Sequence, residues 1–157
     1  MSTLPIESTL PIKADSAFNA AQMIEYLSAT TIPLRLACNG GNGFPLVASH
    51  WFEYREGCLL LAVHQSSMVA ALLSQNPLCG FEIAADTIPY RGVRGQGVAT
   101  LVREGAGAQL DSLIQRYLGS ADSKLAQWLL GRAEQEYAVR ITPSWLTSWD
   151  FSARMVQ

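Results

Sequence analysis

The chain has 157 residues, of which 49% are hydrophobic and only 15% charged, with 11 basic and 13 acidic side chains and a formal charge of −2. That length suits one compact domain with a real core, and the charge excludes a nucleic-acid binder that works by bulk positive potential. No apolar run approaches the roughly 20 residues of a membrane helix.

The opening stretch MSTLPIESTLPIKADS has neither a basic start nor an apolar centre, so it does not read as a secretory signal. Residues 1–15 are expected to form a loose arm, broken by Pro5 and Pro11, ahead of a single domain over 16–157. Asp15 and Ser16 are N-cap candidates for a helix in which Phe18, Ala21, Ile24 and Leu27 recur at helical spacing. IPLRLACN alternates, with Leu34 and Leu36 on one face and Arg35 on the other, which predicts a strand. After the GGNG turn, FPLVASHWFEYR reads as a second strand, and Glu56-Gly57 makes a tight hairpin into CLLLAVH. The short helix SSMVAALLSQ ends before Asn76-Pro77, because a residue before proline avoids helical geometry. LCGFEIAAD is a strand, and YRGVRGQGVATLVRE is a long one whose glycines mark a bend or bulge. Two amphipathic helices follow, AQLDSLIQRYLG and SKLAQWLLGRA, and EYAVRITPSWLTSWDF closes the chain in extended form. Successive strands with short turns pair antiparallel, and about six of them with few helices close most economically into a barrel, a mainly β architecture.

Cys38, Cys58 and Cys79 stand far apart, which fits reduced, buried thiols in a cytoplasmic protein rather than a disulfide framework or zinc site. His50 and His64 have no carboxylate or cysteine at metal-ligand spacing. The carboxylates Glu53, Glu56, Asp86 and Glu104 are scattered, so none forms an acid/base couple, and neither a nucleophile elbow nor a Walker loop is present.

Three motifs carry chemistry. Ser66 and Ser67 sit where a strand hands over to a helix. There a serine caps free N–H groups, and the same groups can hold a phosphate. Arg91 and Arg94 flank Gly92; three apart, they point to opposite faces of a regular strand unless a bulge at Gly92 brings them together. Guanidinium groups beside glycines suit phosphate or carboxylate recognition. Trp145 and Trp149, near the chain end, suit a core, a dimer interface or a stacking wall for a planar ligand.

The element order, together with His64-Gln65-Ser66-Ser67 preceding Asn76-Pro77, YRGVRGQG and RITPSWLTSWDF, resembles the pyridoxamine 5′-phosphate oxidase-like family of flavin-binding split barrels, from about Ile32 to Phe151. The resemblance implies an antiparallel split β-barrel with peripheral helices, a homodimer, and FMN in the groove between two barrels. It carries over Ser66 and Ser67 at the phosphate, Arg91 and Arg94 near the cofactor, and Trp149 beside the flavin. Met68 and Val69 stand where the family has its phosphate-binding basic residues, and the preceding strand FPLVASHWFEY has none either. Tyr117 matches the first residue of the oxidase's substrate-phosphate signature, but Ala121 and Leu125 occupy its Arg and Ser positions. Vitamin B6 oxidation is therefore not expected. The leading expectation is a small FMN-dependent oxidoreductase. The alternatives are the same fold with a deazaflavin or other planar ligand, and a non-catalytic dimer that has lost its cofactor.

Overall fold

The computed structural model describes residues 10–155. In chain order the elements are α1 (Ala20–Ala29), β1 (Leu34–Asn39), β2 (Pro45–His50), β3 (Glu53–Arg55), β4 (Cys58–His64), α2 (Met68–Gln75), β5 (Leu78–Ala84), β6 (Arg91–Val102), α3 (Ala106–Leu118), α4 (Lys124–Leu130) and β7 (Glu136–Asp150). The seven strands form one curled sheet in the order β2-β1-β5-β6-β7-β4-β3, and every neighbouring pair is antiparallel. This is a mainly β split barrel with helices at its periphery, as the resemblance implies, with seven strands where the alternation pattern predicts about six.

The stretch expected as one strand over FPLVASHWFEYR divides at Trp51-Phe52. Its first half pairs with β1 and its second with β4, at opposite edges of the sheet. The chain itself thus spans the split, and Phe52 at the corner is fully buried. The hairpin from β3 to β4 turns on Glu56 and Gly57, both with positive φ (51° and 80°), as a two-residue turn between twisted strands requires.

The inward faces of β1, β4, β5 and β6 supply Leu34, Leu36, Leu59, Leu61, Ile83 and Val93, each at least 99% removed from solvent or completely so. Two helices fill the barrel ends. Met23 and Leu27 of α1 enter this core, and so do Val69, Ala70 and Leu73 of α2. α3 and α4 pack outside, where Leu110, Ile114 and Ala126 form a second cluster against Trp51 and Ala62. At about 25 cal/mol per Å² of apolar burial, this continuous core is the main stabilising term.

Two local features differ from expectation. Asn19, not Asp15 or Ser16, caps α1: its side chain accepts from Gln22 N (2.9 Å) while the Gln22 side chain accepts from Asn19 N (2.9 Å). Ser16 instead binds Ser148 Oγ (2.7 Å) on β7. Residues 10–15 are also packed rather than loose. Leu10 is buried, Lys13 N donates to Leu146 O (2.8 Å), Leu146 N donates to Pro11 O (2.9 Å), and the Thr147 hydroxyl donates to Asp15 (2.9 Å). β4 pairs with β7 only as far as Ile141, so the last part of β7 has a free edge, and this segment covers it. The rest of the expected arm, 1–9, lies outside the described residues.

Arg116 of α3 ties the helices together. Its guanidinium donates to the carbonyls of Ser28 (2.8 Å), Leu27 (3.2 Å) and Thr30, the open C-terminal end of α1. A cation there satisfies orphan carbonyls and complements the helix dipole.

Candidate functional site

The carried-over residues fall into two groups at opposite ends of β7. At one end, β4 runs into α2. Ser67 is the N-cap of α2, its hydroxyl oxygen accepting from Ala70 N (3.1 Å). Ser66 N donates to His64 Nδ1 (3.1 Å), and the Ser66 hydroxyl lies 2.7 Å from the same nitrogen. With its proton on Nε2, His64 donates to Gln135 Oε1 (3.1 Å) and accepts both Ser66 donors on Nδ1. Both serine hydroxyls therefore have internal partners. Met68, at a position where the family carries a basic residue, is 64% exposed.

A cation at this end is Arg103, which no sequence motif marks. It follows β6, and its guanidinium donates to Gln65 Oε1 (2.6 Å), Glu134 O (3.4 Å) and the Tyr137 hydroxyl (3.4 Å) while lying 4.6 Å over the Tyr137 ring. None of these partners is charged, so its positive charge stays unneutralised beside the start of α2. Arg103 arrives there through strand register, because Val102 pairs with Ala138 and His64 with Glu136. Burial pushes the Glu136 carboxyl above its usual range, against the opposing pull of His64 and Arg132.

At the other end, Trp149 lies across Gly92, its register partner. A Cβ added at Gly92 would come within 2.7 Å of Trp149 Cζ2 and 2.6 Å of Ala84 Cβ. The missing side chain is what lets the indole lie on the sheet. The Arg94 guanidinium is 4.4 Å from the Trp149 ring centroid, within cation–π range. Trp145 is four pairs along, with its Nε1 donating to Gln96 Oε1 (2.9 Å) and Lys13 Nζ 4.0 Å over its ring. A shallow depression of about 400 Å³ borders Trp145, lined also by Arg35, Glu82 and Arg94.

Arg91 does not join Arg94. The bulge of β6 falls between Gln96 and Gly97, not at Gly92, so the two arginines keep the opposite faces that regular strand geometry dictates. Arg94 lies on the outer face of the sheet. Arg91 turns to the barrel end, 5.6 Å over the ring of Tyr26. Tyr117 has a structural role. Its ring stacks on Trp51 (5.1 Å, 10°), and its hydroxyl accepts from Phe52 N (3.3 Å) and donates to Ile32 O (3.4 Å). All three cysteines are free and buried, with burial pushing Cys79 up to about 11. Among the described residues no three His, Cys, Asp or Glu side chains group as metal ligands, and no helix is long and apolar enough to cross a membrane.

No protein-family model and no curated protein matches the sequence. Solved structures do match the fold. A conserved hypothetical protein, Rv2991, from Mycobacterium tuberculosis superposes with TM-score 0.77 at 24% identity, covering 92% of this chain and 93% of its own. A structure named F420 Reductase gives 0.67 at 20% identity, covering 78% of this chain and 94% of its own. A putative pyridoxamine 5′-phosphate oxidase from Listeria innocua gives 0.61 at 14% identity, covering 84% and 97%. The chain has the split-barrel fold of the pyridoxamine 5′-phosphate oxidase-like proteins.

Proposed function

We propose that this chain binds a flavin-type cofactor, FMN in the first instance, in a groove between two copies of itself, and works as a small oxidoreductase other than pyridoxamine 5′-phosphate oxidase. The observation that carries the reading is the separation of the two halves of the site. Glu136 beside the start of α2 and Trp149 beside Arg94 stand at opposite ends of a 15-residue strand, roughly 45 Å if straight at about 3.3 Å per residue. One mononucleotide cannot touch both ends in one copy. A second copy, packed against the outer face, brings the polar end of one chain to the aromatic end of the other.

The outer face suits such packing. Val47, Leu78 and Val98 are exposed there, on strands whose register sets Ala37 and Gly80 between them, which gives a small-residue apolar patch beside the charged groups Arg35, Glu82 and Arg94. For the phosphate, the residues present fit in part. The N–H groups at the start of α2 and the free charge of Arg103 supply donors and a cation. Arg94 and Trp149 supply a planar, cationic wall for the ring system. When bound, the isoalloxazine carries the electrons, and the chain's residues contribute position and hydrogen bonds. A deazaflavin is the second reading. It is favoured by Met68 and Val69 at the family's basic positions and by the likeness to F420 Reductase.

The test is a titration of the purified protein with FMN and, separately, with coenzyme F420, followed by fluorescence quenching, with light scattering on the same samples. Saturable binding by a species of twice the 17.1 kDa chain mass supports the reading. A monomer, or a dimer that binds neither cofactor, defeats it.

A further inference from the structure

A cavity of about 740 Å³ lies at the barrel end of a single copy, between α1, the β5–β6 connection and the residues that close β7. Such a volume falls within the roughly 300–1,000 Å³ of small-molecule pockets. Its wall includes Phe18, Glu25, Tyr26, Ile88, Arg91 and Asp150. Arg91 is the cation of this cavity. Among the described residues its guanidinium forms no ion pair, the one such pair being Arg55–Glu53, and its partner is the face of Tyr26. Tyr26 is fixed in turn by its hydroxyl donating to Ile83 O (3.2 Å).

Asp150, the register partner of Arg91, does not close on it. Its Oδ1 accepts from Ser152 N (2.9 Å) and from the Ser152 hydroxyl. The cavity thus presents an aromatic and aliphatic wall, one guanidinium that forms no ion pair, and two carboxylates, of which Asp150 feels the charge of Arg91. Arg91 is the one group of this lining that attracts an anion. The carboxylates of Glu25 and Asp150 repel a dianion such as a phosphate monoester more strongly than a monoanion.

We infer that this cavity is a binding site for a small organic monocarboxylate with an apolar or aromatic body, its carboxylate on Arg91 and its body against Phe18, Tyr26 and Ile88. The site is distinct from the proposed flavin groove. It lies on the inner face of β6, whereas Arg94 and Trp149 lie on the outer one, and it needs no second copy. The two share one point of contact, since Arg91 and Asp150 are the residues next to Gly92 and Trp149. The occupant would accordingly sit around the ends of β6 and β7 from the flavin.

The experiment is calorimetric titration of flavin-free protein with four probes of one shape: phenylacetate, phenylacetamide, phenyl phosphate and phenethylamine. Phenylacetate is expected to bind saturably at millimolar concentration and more tightly than the other three. Arg91→Gln should weaken it at least about tenfold, as loss of a charge-assisted contact does. Ala29→Phe, which fills the cavity from α1 without touching the charge, should abolish it. Both variants should bind FMN as the wild type does, so failure of the flavin reading and failure of this one are separately visible. The inference is overturned if wild type shows no saturable binding of phenylacetate, if Arg91→Gln binds it undiminished, if phenyl phosphate or phenethylamine binds more tightly, or if FMN displaces it.

Discussion

The two ends of β7 solve different problems with the same strand. At the Glu136 end, the surroundings are polar and each group is held by another: Ser67 by the α2 backbone, Ser66 by His64, Arg103 by Gln65 and Tyr137. At the Asp150 end, the surroundings are aromatic, and cations lie over rings: Arg94 over Trp149, Lys13 over Trp145, Arg91 over Tyr26. A helix start with a nearby guanidinium suits a compact anion. Indoles with guanidinium cover suit a flat, extended ligand. Neither end alone matches a molecule that has both parts, and this division makes a two-chain site the economical reading.

Substitutions that strike one end and spare the other sharpen the contrast. The largest effect is expected at the aromatic end. Gly92→Val places a branched side chain where Trp149 and Ala84 already stand, and overpacking of this kind costs about 1–3 kcal/mol. Chemical denaturation should show that loss, and flavin affinity should fall with it because the indole is displaced; an unchanged midpoint would mean that Trp149 does not rest on the strand. Next comes the polar end. Arg103→Ala should weaken FMN by at least about tenfold, the loss of a charge-assisted contact of about 1.5–3 kcal/mol, with little change in folding stability. Equal FMN affinity in wild type and variant would remove Arg103 from the phosphate site. Ser67→Ala should lower stability by about 1 kcal/mol, the usual cost of a lost N-cap, read by thermal or urea unfolding. Its effect on FMN should be smaller than that of Arg103→Ala, since the hydroxyl is already committed to Ala70 N. The smallest expected effect is Arg91→Ala on FMN, which should be none. A clear loss would mean that the two faces of β6 serve one ligand.

Much of this architecture is legible in the residues. The alternation of Leu34, Leu36 and Cys38, the Glu56-Gly57 turn and the stop before Asn76-Pro77 are local signals, and each element sits where its signal puts it. The split at Trp51-Phe52 is not legible, because an extended segment that changes sheet edge keeps its strand-like composition throughout. The site is less legible for the same reason. Ser67 and Trp149 can be found by motif. Arg103 reaches the start of α2 only through the register of β6 on β7 and β7 on β4, a relation between segments far apart in sequence. The cap of α1 is not legible either, because Asp15, Ser16 and Asn19 all have capping side chains, and only the tertiary bonds of Asp15 and Ser16 to β7 leave Asn19 for the helix.

Arg116 gives the barrel end a mechanical linkage. Its one guanidinium holds three carbonyls at the end of α1, and α1 is a wall of the large cavity. Its own helix, α3, is anchored to the far edge of the sheet, where Gln109 and Ser112 donate to Glu53 on β3 (3.2 and 2.8 Å). A pull on the outer helices is therefore transmitted to the cavity wall through Arg116 and, beside it, the Tyr117 bond to Ile32. Substitutions on α3, remote from any ligand, should then tune the shape of the cavity, and Arg116→Ala should weaken that transmission while leaving the barrel standing.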